Sequence, residues 1–286
     1  MIKIKNSTRK AIFGYLFILL WIVGFVVLTG YPIFYSLYLS FYKVKITADS
    51  GIITQFVGLD NYNYAFFTDV TFINSLISFL MQLLLSVPII VVFALIIAIL
   101  LNSKIRLKGT FRTIFFLPVV ITSGPVINEL VSQGATKIPG LTDLVNIDNI
   151  TKGLPLFISQ PLIYIFMNLI SILWFSGIQI LIFLAGLQKI DLNAYEAAKI
   201  DGATAWEIFW KITLPAIKYL IVLNVIYTIV VLSNFELNPI SILIKQNMFK
   251  IETGFGYAAA LSWLYLIFIM VILGIYTFFA LRRSED

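Results

Sequence analysis

The sequence predicts an all-α, polytopic membrane protein: six transmembrane helices forming a single domain over residues 1–286, with short helices on its cytoplasmic side. Three observations predict it. Apolar residues make up 60% of the chain and charged residues 12%, and the mean hydropathy is positive, the composition of a protein whose main solvent is lipid. Six apolar runs each reach the roughly 20 residues that a helix needs to cross a hydrocarbon core. Lysine and arginine alternate in density between the runs, as the positive-inside rule requires of a chain that crosses the membrane repeatedly.

The first run, over 11–40, follows Lys3, Lys5, Arg9 and Lys10. It is too long for the roughly 7–15-residue apolar core of a signal peptide and has no small-x-small cleavage site, so it reads as a membrane helix. Pro32 predicts a kink near its outer end, and Trp21, Tyr31, Tyr35 and Tyr38 are candidate interfacial anchors. Residues 42–72 are mixed and polar, and read as an external loop carrying an amphipathic aromatic helix. Five further runs fall at 73–101, 111–131, 162–187, 215–235 and 257–281. Pro88, Pro118 and Pro125 lie inside the second and third, which argues for helices packed where neighbours satisfy the freed carbonyls.

Of the 20 Lys and Arg residues, 14 fall in one alternating set of segments: the N-terminus, residues 104–112, residues 189–218 and the C-terminal pair Arg282 and Arg283. The other set holds only Lys43, Lys45, Lys137, Lys152, Lys245 and Lys250. Both termini and the 191–215 segment are therefore expected on the cytoplasmic side of the cell membrane. The net charge of +6 follows this topology and forms no basic face, so nucleic acid is not an expected partner.

Catalytic devices are scarce. The chain has no Cys and no His, which removes disulfides, thiolate nucleophiles, zinc sites and imidazole bases. It has no glycine-rich phosphate loop ending in Gly-Lys-Ser or Gly-Lys-Thr, and no aspartate pair deep in an apolar run. Glu129 and Glu236 fall at expected outer ends of spans, where solvation explains them.

The most ordered polar stretch is Asp191 to Pro215, DLNAYEAAKIDGATAWEIFWKITLP. It reads as two short helices. Asn193 with Glu196, and Thr204 with Glu207, each have the spacing of a capping box. Asp201 and Gly202 lie between them, and Gly202 is the expected left-handed hinge. Ala197 and Ala198 leave one side of the first helix bare, while Trp206, Phe209 and Trp210 crowd the second. Within the spans, Asn224, Tyr227, Asn234 and Asn238 recur at helical intervals on one face of the fifth run. Asn168, Ser171, Phe175 and Gln179 do so on the fourth, with Ser176 beside them. Amide, hydroxyl and aromatic groups without charge suit a neutral polyol; the other reading of these stripes is hydrogen bonding between helices.

The series Glu196-Ala197-Ala198, then Asp201-Gly202-Ala203, then Ile212-Thr213-Leu214-Pro215 resembles the signature loop of ABC importer permeases. The stretch FVGLDNYNYAFFTD from Phe56 to Asp69, and FRTIFFLP from Phe111 to Pro118, resemble the first-type permease of carbohydrate importers, the maltose and glycerol-phosphate group. The resemblance implies that Glu196, Ala197, Ala198, Asp201, Gly202, Leu214 and Pro215 couple to an ATPase, making the short helices coupling helices. It implies that Gln179, Tyr227 and Asn234 lie at the sugar pathway, to which the polar stripes add Asn224, Phe175 and Ser176. Val231 stands where the family places an asparagine, and Gln179 where it places an aromatic residue, so the sugar is left unnamed. The implied partners are a second permease subunit, two copies of an ATP-binding subunit, an extracellular solute-binding protein, a sugar or oligosaccharide, and membrane lipid. No metal or cofactor is expected in this chain, with ATP and Mg held by the ATPase. An importer of another small solute and a secondary transporter are the alternatives; the latter would favour internal repeats or buried charge, and neither is evident.

Overall fold

The computed structural model describes residues 6–47, 51–103, 168–250 and 253–282, with isolated positions 109, 110, 113, 129, 155, 159, 162, 163 and 165. The expected span at 111–131 lies almost wholly outside the described residues, as does most of the basic segment at 104–112. In chain order the elements are α1 (Asn6–Phe25), a π-helical turn (Val26–Gly30), α2 (Tyr31–Ser40), β1 (Tyr42–Thr47), β2 (Gly51–Phe56), α3 (Asp60–Phe67) and α4 (Val70–Asn102). After the undescribed segment come α5 (Leu169–Leu187), α6 (Leu192–Ile200), α7 (Ala205–Ile208), a second π-turn (Phe209–Thr213), α8 (Leu214–Ala216), α9 (Lys218–Ser233), α10 (Pro239–Met248) and α11 (Gly254–Arg282). Among the described residues, Gly14–Ser40, α4, α5 and Gly254–Ala280 are each long and apolar enough to cross a membrane; a fifth span results if the bent pair Ala205–Ala216 and Lys218–Ser233 is taken as one.

The chain divides into two compact units. The first comprises residues 1–75 and 242–268. Its helical stretch from Gly14 to Ser40 exposes Phe17, Leu20 and Leu28 almost fully, which is expected of side chains whose solvent is hydrocarbon. The kink expected at Pro32 takes the form of a wider turn. Pro32 has no N–H to donate and its ring crowds the preceding turn, and the π-turn at Val26–Gly30 absorbs the mismatch, closed by the Tyr31 N–H on the Val26 carbonyl.

The loop expected at 42–72 needs correction. Its first part is an antiparallel hairpin in which Tyr42 faces Phe56 and Thr47 faces Gly51. The alternating β-branched residues of YKVKIT and GIIT supply the period-two pattern that favours strands. The aromatic helix expected there is α3.

Asp69 organises the rest of this unit. Its Oδ1 accepts from the Thr71 and Phe72 N–H groups at 3.0 and 3.2 Å, capping α4, while Oδ2 accepts from the Tyr257 hydroxyl at 2.6 Å. One carboxylate thus ties the start of α4 to the start of α11. Burial alone would raise the Asp69 pKa, but the Tyr257 hydroxyl, the Thr71 side chain and the two N–H groups stabilise the charged form and hold it below its ordinary value. The Tyr64 ring meets Tyr257 edge-on at 5.2 Å. Asn61 donates to the Ser40 and Tyr42 carbonyls, and Ser40 shares a hydrogen bond with Tyr62. Gly254, at φ +66°, and Gly256 let α11 start directly against β1: a Cβ there would stand 2.1 Å from the Val44 carbonyl oxygen and 1.8 Å from that of Tyr42.

The second unit comprises residues 76–241 and 269–286. Here α5 and α9 pack together, and α4 runs unbroken through Pro88. Within the expected fifth span the helix is broken at Ile217 (φ −103°, ψ 9°), between Leu214–Ala216 and Lys218–Ser233.

Tyr257→Phe should cost about 1–3 kcal/mol, because it strips a donor from a half-buried carboxylate. In an Asp69→Asn background the same change should cost much less. The Asp69 contribution is fully present above the unfolded carboxylate pKa of about 3.9 and is lost as pH falls through the lower folded value. Thermal melts of the four proteins at neutral and acid pH measure this: the Tyr257→Phe penalty should shrink in acid.

Candidate functional site

The Asp191 to Pro215 loop holds its own shape. Asp191, not Asn193, caps α6, its carboxylate accepting from the Asn193 N–H at 3.0 Å. The earlier start adds Leu192 and Asn193 to the helix and places Glu196 beyond reach of a capping role, leaving its side chain exposed. The end of α6 is as the sequence predicts. Gly202 has φ +78°, its N–H donates to the Lys199 carbonyl at 3.1 Å, and the Ala203 N–H donates to the Ala198 carbonyl at 2.9 Å. That pair is a Schellman motif, and it satisfies carbonyls that a helix end otherwise leaves open.

Thr204 and Glu207 form the predicted capping box. The Thr204 N–H and hydroxyl both donate to Glu207 Oε2 at 2.9 Å, and the Glu207 N–H donates to Thr204 Oγ1 at 3.3 Å. Those donors, with Lys211 at 3.6 Å, hold the Glu207 carboxyl below its ordinary pKa. Tyr195 and Thr213 share a hydrogen bond of 3.0 Å that links α6 to the second π-turn. Meanwhile Leu192, Ile200 and Trp206 are 74%, 86% and 69% exposed, and Ala197 is bare to solvent. The loop is thus braced internally, with apolar side chains outward.

The loop is rooted in the membrane bundle at both ends. Gly186, one residue before the end of α5, lies so close to α9 that a Cβ would stand 1.9 Å from Leu220 Cδ1. At the other end the π-turn at Phe209–Thr213 precedes Pro215 by the same offset as the first π-turn precedes Pro32. The chain then turns 67° into α9. Leu214 and Pro215 lie in α8, directly before the bend at Ile217.

Between α5 and α9 the polar stripes are only partly brought together. Gln179, Asn224, Ser176 and Thr228 are buried. Gln179 Nε2 donates to Thr228 Oγ1 at 3.0 Å, while Gln179 Oε1 and both polar side-chain atoms of Asn224 have no hydrogen-bond partner among the described residues. Ser176 turns its hydroxyl onto the Leu173 carbonyl of its own helix. Phe175 meets Phe235 edge-on at 5.0 Å, and Tyr227 is half-buried. Asn234 does not continue the face: α9 ends at Ser233, and the exposed Asn234 donates to the Val230 carbonyl. Asn238 instead starts α10, its Oδ1 accepting from the Ile240 N–H. Thr228, Gly186, Tyr195 and Asp191 are structural neighbours of the candidate site that sequence reasoning did not select. Thr228 was within reach, four residues from Asn224 on the same helical face.

A family model described as "Binding-protein-dependent transport system inner membrane component" matches residues 69–285. The chain is 29% identical to the probable ABC transporter permease protein YesP of Bacillus subtilis, over all of this chain and 94% of that one. It is 30% identical to the lactose transport system permease protein LacF of Rhizobium radiobacter, over 95% of each chain. It is also 28% identical to the arabinooligosaccharides transport system permease protein AraP of Halalkalibacterium halodurans, over 95% of this chain and 89% of that one. Among solved structures, a chain of a bacterial alginate ABC transporter, in complex with an alginate-pentasaccharide-bound periplasmic protein, superposes with a TM-score of 0.65 at 19% identity over 98% of both chains. This last likeness concerns the fold.

A Cβ at Gly202 meets nothing within 4 Å, so substitution there is opposed by backbone conformation alone. Gly202→Ala should destabilise the loop by roughly 1–2 kcal/mol, and Gly202→Asn by less, because asparagine tolerates the left-handed region. Hydrogen exchange at the Gly202 and Ala203 amides should be fastest in the alanine variant. Equal protection in all three proteins would contradict the hinge.

Proposed function

The chain belongs to the family of binding-protein-dependent transport system inner membrane components, and from that premise we propose that it is the permease subunit of an ATP-driven importer of a sugar or oligosaccharide. The observation that carries the coupling half of this reading is the self-braced loop from Asp191 to Pro215, with Ala197, Ile200 and Trp206 outward. Both termini and this loop lie on the cytoplasmic side by the distribution of Lys and Arg. Two copies of an ATP-binding subunit hold ATP and Mg, and one of them grips the loop. A second permease subunit completes the pathway, and an external binding protein delivers the substrate.

In this scheme closure of the ATPase pair displaces α6 and α7 as one body. Asp201 and Gly202 set the angle between them, and the bonds at Tyr195 and Thr213 keep it. Leu214 and Pro215 pass the movement to α9, and Gly186 keeps α5 close enough to follow. Glu196, exposed on α6, offers a carboxylate to a basic group of the ATPase.

The substrate half rests on Gln179 and Asn224. Gln179 Oε1 and the Asn224 amide, buried and without partners among the described residues, within a pair of helices that carries Tyr227 and Phe175, suit the hydroxyls and the apolar face of a neutral sugar. The relatives named for lactose and arabinooligosaccharides support that class.

Reconstitution of the chain with its genomic neighbours tests the whole. ATP-driven sugar uptake is expected from the complete assembly, and no ATP hydrolysis from this chain alone. Within that system Asn224→Ala or Gln179→Ala should weaken sugar-stimulated hydrolysis by about 1–3 kcal/mol in apparent affinity while assembly is kept. Thr228→Val, which removes the bond from Gln179 and the hydroxyl's own bond to the Asn224 carbonyl at 2.7 Å, should chiefly lower stability. Sugar-independent loss of assembly in all three would favour the interhelical reading.

A further inference from the structure

Where α9 begins and α11 finishes, the second unit carries a feature that transport leaves unused. Lys218, the first residue of α9, and Arg282, the last of α11, line one cavity of about 650 Å³ together with Ile221, Val222, Tyr276 and Phe279. Ile221, Tyr276 and Phe279 also line a second cavity of about 690 Å³, which continues among α4, α9 and α11 over Leu83, Val87, Val225, Ile229 and Ile275. The two cavities thus adjoin across three shared wall residues, with two cations lining the first and hydrocarbon the second.

The dimensions are those of one leaflet. From Lys218 to Ile229 the helix rises about 16 Å, close to half of a hydrocarbon core of about 30 Å. An apolar groove of this depth suits an acyl chain, and basic groups at the membrane surface between helices attract anionic headgroups. Tyr276 adds a hydroxyl of the kind found at interfaces. Arg282 is kept near the mouth, its guanidinium 5.9 Å over the Phe278 ring.

We propose that this groove binds one anionic phospholipid, its phosphodiester between Lys218 and Arg282 and an acyl chain along Ile221, Val225 and Ile229. Lys218 directly follows the break at Ile217, so the lipid fastens the root of the 191–215 loop to the end of α11. Such a lipid would stiffen the bend through which the loop moves α9.

The test uses the complete transporter, with phosphatidylglycerol and phosphatidylcholine as probes. Native mass spectrometry should show phosphatidylglycerol retained in preference to phosphatidylcholine. The Lys218→Gln, Arg282→Gln double variant should lose about fivefold in affinity per charge removed, whereas Lys218→Arg with Arg282→Lys should keep it. Equal retention of the two lipids, or unchanged affinity in the neutral variant, overturns the proposal. If that variant fails to assemble, a photoactivatable phosphatidylglycerol on the wild-type complex decides. Labelling of residues 218–229 and 272–282 that phosphatidylglycerol competes away supports the site. Labelling only elsewhere, or crosslinks that place a helix of another subunit in the groove, overturns it.

Discussion

In hydrocarbon a backbone N–H or C=O has no water to fall back on, so each must find its partner within the protein. That constraint explains the most distinctive local features of this chain. Proline is the residue that breaks it, and Pro32 and Pro215 are each preceded, at the same offset, by a π-turn that lets the backbone pass. Where the chain leaves a helix altogether, the open groups are closed by side chains or by turn geometry. Asp69 caps α4, Asp191 caps α6, Gly202 closes α6, and Thr204 with Glu207 opens α7.

The 191–215 loop is exposed, where water could serve its open backbone groups, yet it closes its helix ends internally. Because its helix ends are satisfied internally, it does not need a partner to fold, and its apolar residues are left outward. A loop that folds against its own caps transmits a push as a unit, whereas a floppy one would absorb it. In the proposed scheme a push on α6 and α7 would reach α9 through Pro215 and Ile217, where the chain turns 67°. Glycine at 186 allows the close approach of α5 to Leu220 of α9.

Local physics made much of this legible in the sequence. Apolar run length anticipated where the long described helices fall, although α5 starts at Leu169 and not at 162, and the Thr204–Glu207 box and the left-handed Gly202 follow from residue type and spacing alone. Asp191 was obscured because Asn193 is an equally good cap type two residues away, with Glu196 at a deceptive spacing. The hairpin at 42–56 was missed although its alternation was present, because a short polar stretch between membrane spans reads first as a loop. The contacts that depend on distant pairing were beyond local signals: Gln179 meets Thr228 across 49 positions and Tyr257 meets Asp69 across 188. Asn234 and Asn238 shared a helical face only for as long as the helix was taken to continue past Ser233.

The central claim is that the loop from Asp191 to Pro215 is the surface an ATPase grips. The chain has no cysteine, so a single introduced thiol reports without background. A thiol-reactive photocrosslinker placed at Ala197→Cys, on the exposed side of α6, should join this chain to the ATP-hydrolysing subunit in the assembled transporter. The same reagent at Leu28→Cys, exposed within the first span, should not. Absence of that crosslink at Ala197, in a complex that still hydrolyses ATP in response to substrate, would contradict the account.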